Sequence, residues 1–265
     1  MSEIFRRRIV LIAGAVLLVL IAAGGFWWLH RVNHRGDLWH HVNHECVPDQ
    51  TAHGDPAPCA FVALGQGVAR GFAVYKDRVG ATQFLLIPTR KVLGIDDPDL
   101  LLSGAPNYWA AAWQARAYVE KAAKRTIPWD DMALAINSAV ARSQDQLHIH
   151  IDCVQPDVHA ALIKHMGEIG TGWKKFPVEL HGLPYLARRL AATDLATQDP
   201  FKLLAAGVPG AGQDMRDETL ALIGADFGGG EKGFVLLAGH ADLAKMRFAH
   251  SANLLDHACK LLRAQ

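Results

Sequence analysis

The chain has 265 residues, with 27 Lys and Arg set against 26 Asp and Glu, a formal net charge of +1 and 14 histidines. So even a balance gives no basic field for gripping a nucleic acid polymer, which is held by many phosphate contacts, but it is compatible with a small phosphorylated ligand. No internal repeat or low-complexity tract breaks the sequence.

At the N-terminus, Arg6, Arg7 and Arg8 precede an apolar run from Ile9 to Leu29, close to the roughly 20 residues of a bilayer-spanning helix. Trp27 and Trp28 fall where an interfacial aromatic belt belongs. The arginines predict residues 1–8 as a cytoplasmic tail, 9–29 as a transmembrane anchor and 30–265 as an extracytoplasmic domain with a C-terminal extension. A cleaved signal peptide competes with this reading, although no small-x-small site precedes a polar start: Ala22-Ala23-Gly24-Gly25 runs straight into Phe26-Trp27-Trp28.

DLWHHVNHEC then reads as a short amphipathic helix with Leu38, Trp39 and Val42 on one face. His40, His41 and His44 lack acidic or cysteine partners at ligand spacing and are expected on a solvated surface. Four cysteines, Cys46, Cys59, Cys153 and Cys259, allow three pairings. The one favoured joins Cys46 to Cys59 across a Pro-rich loop and leaves core-facing Cys153 to pin the C-terminal helix through Cys259. No Cys-x-x-Cys or zinc-type spacing is present, so neither a metal site nor a cofactor is expected.

RGFAVYKD (70–77) and TQFLLIPT (82–89) predict an antiparallel hairpin, with Gly80 in its turn. From Pro106 to Lys124, the residues Trp109, Ala112, Trp113, Arg116 and Ala117 recur at the spacing of a helix packed on a sheet, with Asn107 near its N-cap. MALAIN (132–137), the polar loop Ser138 to Asp145 and the run QLHIHIDCV predict a second hairpin. A helix starts at Pro156-Asp157, with His159 and His165 expected at the surface. PYLARRLAATDLA reads as helical and QDPFKLLAAGVPG as a short helix, while Glu218 to Asp226 pairs with Gly233 to Gly239 as a hairpin. The stretch from His240 onward reads as one or two amphipathic helices. Strand pairs with intervening helices and no βαβ rhythm indicate an α+β fold with a mainly antiparallel sheet packed with helices.

The chemistry concentrates in Gln146-Leu147-His148-Ile149-His150-Ile151-Asp152, where strict alternation puts Gln146, His148, His150 and Asp152 on one strand face. So many histidines would place about 0.7 His-x-His pairs at random, so the pair gains its weight from the hairpin around it. A neutral imidazole is a free nucleophile at neutral pH, and charge growing on a phosphoryl group needs fixed donors, which amides and a second imidazole can supply. Arg142, in the loop before the strand, is a candidate pyrophosphate contact; the other reading of it is a solvated loop arginine.

QLHIHI, with Asn137 and Gln144 upstream, resembles the histidine triad superfamily, whose motif is His-φ-His-φ-His. Gln146 stands at the first motif position, which is a departure. More specifically, the order of N-terminal anchor, ECVPDQ, PAPCA, LLIPT, PNYWAAAWQAR, LAINSAVARSQDQLHIHIDCVQPDV, YLARR and DPFKLLAAGVP resembles the bacterial CDP-diacylglycerol pyrophosphatase family. That resemblance implies a histidine triad-like fold and hydrolysis of CDP-diacylglycerol to CMP and phosphatidate at the inner membrane, with the catalytic domain facing the periplasm. It further implies that His148 attacks the nucleotide's α-phosphorus to form a cytidylyl-histidine and that His150 bonds phosphoryl oxygens or helps protonate the leaving group. Asn137, Gln144 and Gln146 are implied as substrate contacts. The partners expected are CDP-diacylglycerol and membrane lipid. Two other readings stay open: a histidine triad hydrolase or nucleotidyltransferase for a soluble nucleotide, and a non-enzymatic envelope protein binding metal through His-x-His.

Overall fold

The computed structural model describes residues 12–14, 16–25 and 34–263. Residues 12–14 and 16–25 are helical and exposed. Among the described residues no helix is long and apolar enough to cross a membrane. This corrects the expected transmembrane anchor over 9–29 and, with it, the single-pass inner-membrane placement facing the periplasm. A spanning helix needs roughly 20 consecutive, predominantly apolar helical residues, which no helix among the described residues supplies. The expected tail, residues 1–8, lies outside the described residues, as do 9–11, 15, 26–33 and 264–265.

Ten strands form one sheet in the order β1-β2-β3-β5-β4-β8-β9-β7-β6, with β10 beside β5. They are Phe61–Ala63 (β1), Phe72–Lys76 (β2), Phe84–Pro88 (β3), Met132–Ile136 (β4), Ile149–Val154 (β5), Lys174–Lys175 (β6), Tyr185–Ala191 (β7), Glu218–Asp226 (β8), Lys232–His240 (β9) and Leu255–Asp256 (β10). Every pairing is antiparallel. The expected α+β class and the three expected hairpins are present, with β5 lying between β3 and β4 in the sheet.

Asp37–His40, the π-helical His41–Cys46 and Val47–His53 run on as one helix, α1. The others are α2 (Tyr108–Ala123), α3 (Pro156–His165) and α4 (Pro200–Gly207). Asn107 caps α2 by accepting the Ala110 N–H and gives its own amide hydrogen to the Leu195 carbonyl. The buried stripe of α2 takes in Tyr108, Trp109, Ala112, Trp113, Ala115 and Val119. Ala117 is exposed instead, and Arg116 lays its guanidinium over the rings of Trp113 and Trp129.

One sheet face packs against α2 and α4 in a single large core, where Leu134, Ile149, Ile151, Leu222 and Phe234 meet Trp109, Trp113 and Phe201. Each large apolar side chain buried there contributes about 2 kcal/mol. The opposite face carries two separate apolar clusters. One sets Leu38, Val42 and Cys46 of α1 on Ala73, Leu85 and Ile87. The other sets Val158 and Leu162 of α3 among Ala133, Ala135, Ile223 and Leu237. The polar face of β5 lies in the gap between them.

Two expected helices are absent. YLARRLA forms β7, which pairs over its whole length with β9, from Tyr185 opposite Gly239 to Ala191 opposite Gly233. After His240 the described residues form only 3-10 turns, Leu243–Lys245, Ser251–Leu254 and Lys260–Arg263, and strand β10. Met246, Ala249 and Cys259 take φ of 55°, 51° and 46°, which breaks any continuous helix there. His159 and His165, expected at the surface, are partly buried: His159 bonds Asp130 at 3.2 Å, and His165 bonds Glu168 and packs its ring edge on Phe176.

Candidate active site

Because β5 alternates, Ile149, Ile151 and Cys153 enter the large core and His150 and Asp152 stand on the other face. Register puts His150 between Leu85 of β3 and Ala135 of β4, and Asp152 opposite Ala133. The short alanine side chains leave room for imidazoles above the sheet. His148 and His150 open into a cleft of about 320 Å³. Its walls come from α1 (Asp37, His41), the β2–β3 hairpin (Tyr75, Asp77, Gln83), the loop before β5 (Ser143, Gln144) and the C-terminal segment (His250, Asn253, His257).

Nδ1 of His148 lies 2.7 Å from the main-chain oxygen of Gln146. A carbonyl only accepts, so Nδ1 carries the hydrogen and Nε2 of the neutral ring keeps its lone pair. Burial lowers the proton affinity of His148; the Gln146 carbonyl and Asp77 oppose that shift, and Arg142 adds to it. His150 stands edge-on to His148 with ring centroids 5.0 Å apart. Both of its ring nitrogens are buried without a partner within the protein. Burial first, then His148, His250 and His257, push His150 well below the ordinary imidazole value. Burial and His148 lower His250 in the same direction. The cleft floor therefore presents neutral imidazoles with an uncommitted lone pair and an uncommitted N–H.

The residues expected around these histidines divide by what their side chains do. Asn137, directly after β4, accepts the Ala252 N–H at 3.0 Å, leaving its NH₂ group unused beside His148. Gln144 lines the cleft, but both ends of its amide hold α1 in place, accepting from Leu38 N and donating to the His34 carbonyl. Arg142 pairs with Asp96 and, at 3.3 Å, with Asp145, which a fork from Arg35 also grips. It braces the loop next to His148 rather than lining the cleft. Gln146 is fully buried and donates to the carbonyls of Pro88 and Arg90 while accepting from Val92 N. At the motif's first position, this amide clamps the chain leaving β3. The favoured disulfides are the ones formed, Cys46 with Cys59 and Cys153 with Cys259.

Three cleft histidines escaped the sequence reading as site residues, and so did the pairing of one of them with Asp152. His41, expected on a solvated surface, lines the cleft, stacks on Tyr75 with centroids 5.7 Å apart and bonds Glu45. His250 and His257 come from the C-terminal stretch. Asp152, fully buried, accepts from Thr82 Oγ1 at 2.7 Å and from Nδ1 of His257 at 2.9 Å. The available signal was the Cys153–Cys259 pairing, since joining those residues necessarily brings residue 257 to the strand that carries Asp152. Apart from the cleft, Asp130, Asp131 and His159 gather closely enough to hold a cation, and Asp152 lies near Cys153 and Cys259, whose sulfurs are tied to each other.

The family model described as CDP-diacylglycerol pyrophosphatase matches residues 33–263. The chain is also 41% identical over 232 residues to a protein of Yersinia pestis named CDP-diacylglycerol pyrophosphatase, covering 88% of this chain and 87% of that one. The family match takes in every strand of the sheet and all the walls of the imidazole cleft, and on both matches the chain belongs to the CDP-diacylglycerol pyrophosphatase family.

Proposed function

We propose that the enzyme hydrolyses the pyrophosphate bond of CDP-diacylglycerol, giving CMP and phosphatidate, by way of a cytidylyl group carried on Nε2 of His148. The observation that carries this reading is the bond from Nδ1 of His148 to the Gln146 carbonyl, which leaves Nε2 as the lone pair in the cleft. In the first displacement Nε2 bonds to the phosphorus bearing cytidine, and the bridging oxygen leaves with the phosphatidate. In the second, water bonds to the same phosphorus and the P–N pair returns to Nε2. Two displacements of this kind suit a nucleophile fixed beside a strand. The unpaired N–H of His150 and the unused NH₂ of Asn137 are donors for the phosphoryl oxygens, where charge grows in both steps.

Burial of the nucleophile supports the reading further, because a buried imidazole stays neutral at neutral pH. For the lipid end, a second groove shares His250 and Asn253 with the cleft and is flanked by Met246 and Phe248. Leu243, Met246 and Phe248 are exposed large apolar side chains, 56%, 77% and 49% accessible, and they give the diacylglycerol end an apolar exit.

Hydrolysis in H₂¹⁸O tests the assignment of the attacked phosphorus. Label is expected in CMP; label in phosphatidate would place the attack on the other phosphorus and overturn the reading. With substrate carrying ³²P next to cytidine, a quenched reaction should yield an acid-labile, base-stable protein adduct that is absent from His148→Ala.

A further inference from the structure

The one carboxylate on the polar face of β5 is Asp152, and it is committed to a single imidazole. Its Oδ1 accepts from Thr82 Oγ1 and the Cys153 N–H, and its Oδ2 accepts from Nδ1 of His257 at 2.9 Å. A carboxylate on Nδ1 fixes the tautomer and ring direction of a histidine and leaves Nε2 as the position where a proton comes and goes. Side-chain exposure of His257 is 32% against 0% for Asp152, and His257 lines the same cleft as His148 and His150. Its proton-bearing edge therefore meets substrate while its partner is sealed from water.

The backbone around His257 is held from three directions. β10 pairs Leu255 with Val154 and Asp256 with Cys153, continuing on β5 the edge that β3 occupies further along. The Cys153–Cys259 disulfide joins the residue after Asp152 to the second residue after His257, so one covalent link brackets the pair. The β2–β3 turn closes the third side: Ala81 N–H donates to the His257 carbonyl at 3.3 Å, and a Cβ on Gly80 would sit 2.4 Å from Cβ of His257. Gly80 has φ of 72°, so both its backbone and this close approach call for glycine. A surface histidine with no task does not need a buried carboxylate, a disulfide and a glycine contact to fix it.

We propose that His257, oriented by Asp152, is the acid–base catalyst of both displacements; this rests on His148 being the nucleophile. In the first step Nε2–H of the His257 imidazolium gives its proton to the bridging oxygen as the P–O bond breaks and phosphatidate leaves. In the second, the now neutral Nε2 takes a proton from water as the water oxygen bonds to phosphorus and the P–N pair returns to His148. His257 ends as it began, and the sum is one water consumed for CMP and phosphatidate. His257 is thus a catalytic residue, and Asp152 a positioning residue.

His257→Asn tests this with the fold preserved, because the asparagine amide can still donate to Asp152 but cannot shuttle a proton. Two substrates are compared: CDP-diacylglycerol in detergent micelles, and the p-nitrophenyl ester of CMP, whose leaving group needs no protonation. On the lipid, kcat should fall roughly 10²- to 10⁴-fold with KM little changed. On the ester, the variant should release one equivalent of p-nitrophenolate per site in a burst at near the wild-type rate, then turn over slowly because the cytidylyl-enzyme lacks its base. Asp152→Asn should reproduce the kcat loss in weaker form. A burst lost in proportion to lipid turnover would reduce His257 to a structural role, and unchanged steady-state rates would remove it from the mechanism. Failure of the nucleophile assignment looks different: the wild-type enzyme itself would then form no cytidylyl adduct.

Discussion

His148 gives its Nδ1 hydrogen to the main-chain carbonyl of Gln146, two residues upstream, at 2.7 Å. The residue at the motif's first position therefore serves the nucleophile through its backbone, while its side chain bonds Pro88, Arg90 and Val92. Those two roles can be separated. In Gln146→Leu the main-chain carbonyl survives, but the buried Pro88 carbonyl, the partly buried Arg90 carbonyl and the Val92 N–H lose their partner, costing about 2 to 4 kcal/mol. Urea denaturation should show that loss, while kcat of the variant still folded at 20 °C stays within a few-fold of wild type. A kcat loss matching that of His148→Ala would mean that the amide itself contacts substrate.

Protonation of His148 removes the lone pair that attacks phosphorus. Burial sets its proton affinity below the ordinary value of 6.5, and that of His150 lower still. On the p-nitrophenyl ester of CMP, whose leaving group needs no proton from His257, the acid limb of the cytidylyl-transfer rate should therefore have its midpoint below pH 6.5. The stability effect has the same sign. The unfolded chain takes up protons near 6.5 and the folded one only at lower pH, so stability is full above 6.5 and falls as pH drops through the folded-state values. A pre-steady-state pH profile, with imidazole titration followed by NMR, measures both; a midpoint at or above 6.5 would contradict the buried-nucleophile account.

The two hairpins that build the site were legible in different ways: QLHIHIDCV alternates because its histidine face stays out of the large core, whereas FLLIP and MALAI are short apolar runs buried on both faces. QLHIHIDCV could not be helical without driving His148 and His150 into the cluster around Trp109 and Trp113. YLARRLA misled because Leu186, Arg189 and Leu190 are also spaced as on a helix. Its pairing with β9 and the stacking of Arg188 on Trp173 and of Arg189 on Phe227 decide the matter, and none of those partners is near in sequence. His257 was illegible for the same reason: its partners Asp152, Thr82 and Ala81 lie 105 residues or more away. The apolar run 9–29 satisfied a compositional rule for a spanning helix, yet no described helix meets that length.

Asp199 caps α4 by accepting the Phe201 N–H, and it is buried. Burial raises its pKa to about 6, against the opposing pull of the Phe201 and Lys202 amides and the Lys202 charge. A carboxyl raised in the folded state stabilises fully below its unfolded value of 3.8 and loses that contribution as pH rises through about 6. Asparagine caps equally well and carries no charge. Asp199→Asn should thus gain roughly 1 to 3 kcal/mol at pH 7.5, with the gain shrinking toward pH 4.5. Thermal unfolding at the two pH values reads this out; an equal or reversed difference at both would show that the buried charge is not the destabilising element.

Met246 and Phe248, both exposed, line the groove that joins the cleft at His250 and Asn253, and Leu243 is exposed just before them in the chain. Neither Met246 nor Phe248 touches the imidazoles through a hydrogen bond or a ring contact, so substituting them leaves the chemistry intact. Putting a carboxylate where an acyl chain or the lipid surface would lie removes about 1.5 kcal/mol or more of apolar transfer energy, a factor of roughly ten or above in affinity. Met246→Asp and Phe248→Asp should each raise the apparent KM for micellar CDP-diacylglycerol by that factor and leave kcat on the p-nitrophenyl ester of CMP unchanged within twofold. Vesicle sedimentation of the two variants should fall in step with the KM change. If both substrates lose activity equally, the segment supports the cleft rather than the lipid; if neither does, the diacylglycerol end leaves the cleft by another side, past Arg78 and Val79 of the β2–β3 turn.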